Sequence, residues 1–586
     1  MRMIFRYIRR YSKGITIVIF IKLLATFAEL SLPYILEHIL DYVVPKGDMT
    51  EIILWGLAMI AASVATWQLN FRANRRAVDN AHNVSYDVRK DLFNKTIQLS
   101  GKQFDYFGLP SLTSRMTSDS YNVQNFVRAL QTLCVRAPIL LLGGIIVTMS
   151  MDPVLSGILC AMVPVLMIVV VTISRKGIPL FEKVQQRLDE VIRIMRENIT
   201  GVRVVKALSK EEYERRRFKN ANEAMASADI RTGTTMAIPG PFMQLSLNVG
   251  LTLVVFVGAY RVNGGMMKPA VILAFLTYFN LIMQSIMAIS RMFMMVSKAS
   301  ASADRIDAVL QTEADLLPVP DLPVIENAAY ISFANVNFRY QGAADGANFH
   351  GEDQESVLTD ISFTLNKGES LGIIGPTGCG KTTILNLLMR FYDADSGVIA
   401  IEGRDVRSYD KQELHEKFGV VLQNDMIFNN TLRENISFGR DIPEEKIALA
   451  IEDAMAAEFI HQIPEGLDYE AAIKGANLSG GQKQRVLISR ALAGDPEILI
   501  LDDASSALDY KTDAALRKAI FSNYKEAAVI MVAQRVSSVM HLTNVLMIDN
   551  GRCIGYGPHE ELLRTCPEYK RIYEAQMGDL DGGGEH

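Results

Sequence analysis

Lys381 and Thr382 close the run GPTGCGKTT, which matches G-x-x-x-x-G-K-[ST] between an apolar strand candidate, SLGII, and a helix-forming run, ILNLLMRF. In that setting Gly375, Gly378 and Gly380 let backbone N–H groups approach phosphate oxygens, and the following helix N-terminus adds its dipole. Lys381 supplies a point charge to the outer phosphates, and the Thr382 hydroxyl suits Mg²⁺. A second apolar run, EILILDD, reaches Asp502. Its carboxylate would stand at the C-terminal edge of a parallel sheet, where the ligands of such sheets gather, and could hold a Mg²⁺ shell through water. Between the two lies NLSGGQKQR. There Ser479, Gly480 and Gly481 open a helix-like segment that could bind an anion or serve only as a cap.

These residues need a sheet to place them. From about Ile331 onward, short β-branched runs alternate with helical segments, and LGIIG, GVVLQ, EILILDD and AVIMVAQ are strand candidates. The pattern predicts an α/β domain with a mostly parallel sheet over 331–578. The preceding stretch 311–330 carries Pro318, Pro320 and Pro323 and reads as a linker. The last residues, 579–586, read as a disordered tail.

The first 310 residues are of another kind. Six apolar runs, roughly 15–43, 52–71, 130–151, 154–174, 241–262 and 269–290, approach the ~20 residues that cross a hydrocarbon core. Buried helices of a large soluble domain are the alternative, and loop charge argues against it. Arg2, Arg6, Arg9, Arg10 and Lys13 precede the first run, and basic clusters follow the second and fourth. The alternate loops are short and carry little positive charge, which puts both termini in the cytosol. The long polar connections keep helical periodicity, so the spans should continue as cytosolic helices, turning near Gly108 and Pro110 and again near Glu211.

Composition excludes other classes. The chain has 586 residues, 49% of them hydrophobic and 21% charged, which rules out disorder. Lys and Arg number 60 against 65 Asp and Glu, a net charge of −5, and no nucleic-acid partner is expected. Five scattered cysteines form no CxxC pair, so neither a disulfide framework nor a zinc site is expected.

Taken together, the motifs resemble those of ABC transporters: GPTGCGKTT as Walker A, LSGGQ as the signature and ILILDD as Walker B. Six spans ahead of one such domain resemble an exporter-type (type IV) half-transporter, and the resemblance covers essentially the whole chain. It implies a multidomain membrane protein, with an all-α six-helix transmembrane domain (1–310) followed by an α/β P-loop nucleotide-binding domain. The implied cofactors are ATP and Mg²⁺. ATP would be held by Tyr340, Gly375, Pro376, Thr377, Gly378, Cys379, Gly380, Lys381, Thr382, Thr383, Gln423 and Asp502. The metal would lie by Thr382, Gln423 and Asp502. Tyr340 falls at the adenine-stacking position, Gln423 at the Q-loop and Asp509 at the D-loop. Leu478, Ser479, Gly480, Gly481 and Gln482 would complete the ATP site of a partner half-transporter, and the two cytosolic turns look like coupling helices.

The chain departs from the family at its catalytic positions. Asp503 stands where Glu usually polarises the attacking water, and Gln534 stands for the switch His. Ile473 falls where a Glu is common. Asp is one methylene shorter, about 1.5 Å, and a misplacement of about 1 Å costs on the order of a hundredfold in rate. Gln can hydrogen-bond a γ-phosphate but cannot carry a proton charge. One reading is drift, with Asp503 a slow base. The other resembles the degenerate-site subunit of a heterodimeric bacterial multidrug exporter, binding ATP at a poorly hydrolysing site. A homodimeric exporter with slow ATPase, and an ATP-gated channel or regulatory membrane protein, are the competing functions. The expected setting is a plasma membrane, with membrane lipid as neighbour.

Cargo must be read from the spans. Glu29, Glu37, His38, Arg128, Arg136, Gln244, Asn248, Asn280 and Gln284 lie in or beside them, either packing helices or lining a path. Methionines late in this half favour a drug-like or lipid-like small molecule. The residues between Tyr340 and Val357 read as a flexible surface insertion.

Overall fold

The computed structural model describes residues 1–320, 322–340, 356–423 and 425–578. The insertion after Tyr340 and the tail 579–586 therefore lie outside the described residues, apart from Ser356 at the insertion's end. The chain divides into two compact units. One comprises Met1–Ile97 and Leu112–Thr312, and the other Gln98–Ser111 and Glu313–His586.

The first unit is helical. Among the described residues six helices are long and apolar enough to cross a membrane: Ser12–Lys46, Met49–Gln98, Leu109–Met151, Pro153–Thr200, Glu211–Asn263 and Ala270–Leu310. Each contains one of the six apolar runs, and several extend for tens of residues beyond it. Side chains such as Ile53, Leu57, Ile60 and Trp67 are exposed on the second helix. Such a surface is costly in water and favourable in hydrocarbon. The fourth helix starts where local chemistry dictates: Asp152 Oδ1 accepts the N–H groups of Val154 and Leu155 at 2.9 and 3.0 Å, with Pro153 at the first position. The same carboxylate pairs with Arg261 at 3.0 Å, tying the start of the fourth helix to the end of the fifth. The core gathers on the sixth helix, where Phe275, Phe279 and Ile282 pack with Leu155, Leu159, Leu166 and Val254.

Polar residues in this unit follow two patterns. Arg136 and Glu29 form a two-bond pair at 2.6 and 3.1 Å, and Tyr278 donates its hydroxyl to the Leu30 carbonyl at 2.6 Å. These are packing contacts. Arg128 is exposed, and the Asn280 side chain turns back on the Leu276 carbonyl of its own helix. Glu37 has neither kind of partner and is taken up below.

The second unit is α/β. Its strands are β1 (Ile331–Phe338), β2 (Leu358–Leu365), β3 (Ser370–Ile374), β4 (Ser396–Ile401), β5 (Arg404–Asp405), β6 (Phe418–Val421), β7 (Ile498–Asp502), β8 (Ala528–Val532), β9 (Asn544–Asp549) and β10 (Arg552–Gly557). An antiparallel sheet runs β2-β1-β4-β5, and a six-stranded sheet runs β10-β9-β3-β8-β7-β6. The latter is parallel from β9 to β6, with β10 an antiparallel edge. Strands β3, β7 and β8 are buried at every position, as a sheet covered on both faces requires.

Two segments behave differently from their sequence reading. Most of the stretch 311–330, read as a linker, groups with the second unit from Glu313 on. The Arg390 guanidinium donates to the Leu317 carbonyl, Val319 N–H to Arg407 and Ile325 N–H to Gly403, each at 2.8 Å. Residues 98–111, counted with the membrane part in the sequence, group by their contacts with the second unit. They hold a short helix, Gly101–Phe107, capped by Ser100 and ended by Gly108. Ser100 also donates to Asp315 at 2.9 Å, and Tyr392 donates to Asp105 at 2.5 Å. The second tip carries a helix Val202–Ala207 just before Glu211.

Candidate nucleotide site

The phosphate loop hangs between β3 and the helix Lys381–Leu388. Its geometry explains its glycines. At Gly375 an added Cβ would lie 2.1 Å from the Ile548 carbonyl oxygen, so the position is closed by β9 rather than by any ligand. Gly380 has φ +104°, a conformation that side chains resist. Lys381 Nζ donates to the carbonyls of Gly375 and Pro376 at 2.8 Å each, which centres the ammonium over the loop. Cys379 is buried beneath it, and burial pushes its thiol above the usual range.

One cleft of 280 Å³ collects Tyr340, Thr377, Gly378, Gly380, Lys381, Thr382, Thr383, Gln423, Asp502, Asp503 and Gln534. At its floor the Thr382 hydroxyl donates to Asp502 Oδ2 at 3.0 Å. Burial pushes the Asp502 carboxyl above the carboxylate range, and the Thr382 bond opposes this. Hydroxyl, carboxylate and amide oxygens from Thr382, Asp502 and Gln423 form the hard donor set that suits Mg²⁺. Asp503 follows in the left-handed region, φ +53°, with its N–H donating to Val532 at 3.0 Å. Burial raises its carboxyl too, opposed by Lys381 and Arg535. Tyr340 stands at the rim, its hydroxyl 3.2 Å from Thr383 Oγ1 and its ring edge-on to Phe338 and Tyr392.

The signature residues are not part of this cleft. Ser479 begins the helix Gly480–Leu492 with a reciprocal cap: its Oγ accepts Gln482 N–H at 3.3 Å, and Gln482 Oε1 accepts Ser479 N–H at 2.8 Å. Leu478 is buried under the turn. Asp509 caps the helix Tyr510–Asn523 through Thr512. Ile473 is 64% exposed in the turn before the signature.

Two glutamines that the sequence reading passed over hold these parts in place. Gln484 donates to Ser506 Oγ at 3.1 Å and accepts Ala507 N–H at 2.9 Å, pinning the loop before Asp509 to the signature helix. Gln576, on the last helix, donates to the Gln534 carbonyl at 3.0 Å and accepts Val536 N–H at 2.8 Å. Gln484 lies in the run NLSGGQKQR, but neither bond could be read from the sequence, because each joins segments distant along the chain.

The family models for the ABC transporter transmembrane region and for the ABC transporter match residues 15–286 and 358–506. An uncharacterized ABC transporter ATP-binding protein of Mycobacterium tuberculosis is 32% identical over 585 residues, 99% of this chain and 98% of its own. This chain is an ABC transporter. An ATP-dependent lipid A-core flippase of Desulfotalea psychrophila is 30% identical over 550 residues, 93% of each chain. The solved structure of a bacterial Atm1-family ABC exporter with ATP bound superposes with a TM-score of 0.78 at 23% identity. It covers 98% of this chain and 99% of that one, so the transporter has the exporter fold. The transporter is a multi-pass membrane protein whose ATPase domain drives its transport.

Within the transporter's second unit, Tyr392 is the link between the Tyr340 rim and the helix Gly101–Phe107. Tyr392→Phe keeps the ring and removes the bond to Asp105. The net loss is about 1 kcal/mol, so amide exchange in Gly101–Phe107 should speed by about fivefold. Hydrogen-exchange mass spectrometry checks this, and ATP binding should be unchanged.

Proposed function

We propose that this chain is the weakly hydrolysing half of a heterodimeric ABC exporter. Its own Walker A loop binds MgATP, and its Leu478–Gln482 turn completes the competent site of the second half-transporter. One observation carries the reading. Asp503 and Gln534 share the cleft with Lys381, Thr382 and Asp502, so the altered residues face the same nucleotide that the intact ones hold. Thr382, Asp502 and Gln423 would hold Mg²⁺, whose charge offsets that of the phosphates. Tyr340 would stack on adenine, and Gly375 to Thr383 would cradle the phosphates.

The chemistry follows from reach and proton capacity. A water placed for Glu lies about 1.5 Å beyond the Asp503 carboxylate, and Gln534 offers an amide where a protonatable ring is usual. ATP therefore stays bound and favours the closed pair of nucleotide domains, and hydrolysis at the other site releases it. The exposed Val202, Val204 and Leu208 at the second cytosolic tip support a contact with the partner's nucleotide domain. Loop charge supports cytosolic termini in a bacterial plasma membrane. The lipid flippase among the relatives and the methionine-rich sixth helix support a lipid-like or drug-like cargo.

The test restores the missing groups. With the partner's own Walker A lysine replaced, Asp503→Glu with Gln534→His should raise ATP turnover of the assembled pair by on the order of a hundredfold. No rise would mean that the altered residues are not what slows this site. Brisk turnover by this chain purified without a partner would instead favour a homodimer.

A further inference from the structure

The first unit contains a cavity of 1130 Å³ that the nucleotide chemistry does not use. It lies between the first span, the third span and the start of the sixth, and the loop Gly265–Lys268 borders it. Glu37 reaches it from the first span. This residue is only 8% exposed, and among the described residues its carboxylate accepts no hydrogen bond. Its oxygens open onto the cavity rather than being sealed in the helix packing, and an acidic side chain in a span with no protein partner marks a water-filled path or a ligand site.

The surroundings say which kind. Asp41 lies one turn on; its Oδ1 accepts Ala270 N–H at 3.0 Å, and its buried Oδ2 has no partner. Lys268 is the neighbouring cation, but it is engaged elsewhere. Its Nζ donates to the Asp41 carbonyl at 2.9 Å and sits 3.2 Å from the centre of the Tyr42 ring. His38 stacks on Tyr42 and leans on Trp55, at 5.2 and 4.6 Å between ring centres. Two carboxylates thus face one ammonium, and the excess charge is negative. Phe27, Tyr34 and Tyr278 add aromatic rings to the wall, and Ile146 and Val147 add an apolar side.

We propose that this cavity binds amphipathic organic cations, with Glu37 as counter-ion and the aromatic wall around the charge. A diffuse cation with an apolar body would supply Glu37 with a partner without the dehydration cost of a small ion. Ring faces attract such charges, more strongly when water is excluded. The volume suits a drug-sized molecule. The proposal rests on the transport reading above and narrows its cargo.

The experiment uses the full-length chain, in its assembled transporter, in phosphatidylcholine nanodiscs. Equilibrium dialysis without ATP measures binding of tetraphenylphosphonium and of tetraphenylborate, an anion of the same size. Wild type should prefer the cation. Glu37→Gln should weaken cation binding by at least about tenfold, and Glu37→Asp should retain part of it. Ile146→Trp, a change at an exposed wall residue, should weaken both ions by filling the space. If wild type binds the anion as well as the cation, or if Glu37→Gln binds the cation as well as wild type, the proposal is wrong. Should Glu37→Gln fail to assemble, the ion preference of wild type and the effect of Ile146→Trp decide it. A transporter that binds the cation as expected but never accumulates any cation in ATP-loaded inside-out vesicles would overturn the export reading and leave the site standing.

Discussion

Ser479→Arg in this chain alone should abolish ATP turnover by the proposed asymmetric pair, a fall of about a hundredfold or more, whereas Lys381→Ala in the same chain should lower it only a few-fold. The contrast follows from where the two residues sit. Lys381 lines the cleft that also holds Asp503 and Gln534, so on the proposed reading its removal disables the slower of the two sites. Ser479 is outside that cleft, at the start of a 13-residue helix whose N-terminus, on the proposed reading, meets the phosphates held by the partner chain. Arginine there removes the cap and fills the space in front of the helix. Loss of the cap alone, as in Ser479→Ala, costs about 1 kcal/mol of local stability and separates helix damage from blockage. Steady-state ATPase of each variant, co-assembled with an unchanged partner, gives the ranking. Equal loss from Lys381→Ala and Ser479→Arg would mean equivalent sites, and the asymmetric pair would be ruled out.

Much of this arrangement could be read before any coordinates. The strand candidates LGIIG, GVVLQ, EILILDD and AVIMVAQ became β3, β6, β7 and β8, because continuous apolar runs are what a parallel sheet buried on both faces requires, most fully at β3, β7 and β8. The helix after the signature and the six spans were equally plain, since each is set by local pattern. What stayed hidden was contact between distant residues. Gln484 and Gln576 look like any surface glutamine until the fold brings Ala507 and Gln534 against them. The polar residues of the spans showed the same limit. Glu29, Glu37 and Arg136 had equal standing as packing groups or path-lining groups. The fold separated them by pairing Glu29 with Arg136, 107 positions apart, and leaving Glu37 alone. The proline run 311–330 carried linker chemistry, yet backbone bonds to Arg407 and Gly403 are invisible in composition.

That pairing supports the second large effect. Arg136→Leu should prevent stable assembly, because the Glu29 carboxylate, side chain 18% exposed, loses both of its partner N–H groups inside the helical unit. The pair is part-buried, with side chains 33% and 18% exposed, so the loss falls below the roughly 3–5 kcal/mol that breaking a fully buried pair costs, much of it the penalty on the charge left behind. Removing both charges is a different operation. Glu29→Gln with Arg136→Leu leaves a neutral amide where a stranded ion would be, so most of the loss should return. The measurement is apparent melting temperature and yield in detergent for the wild type, the two single variants and the double variant, read as a cycle. A coupling near zero, with Arg136→Leu as stable as wild type, would mean that lipid headgroups or water already serve Glu29. A double variant no better than Arg136→Leu would instead assign the loss to the missing arginine stem rather than to charge. The cycle also bears on Glu37, one span shared with Glu29 and two turns further on. If a carboxylate that has a partner cannot be stranded without unfolding the unit, then one that never had a partner in the fold must be stabilised by proton, solvent or cargo.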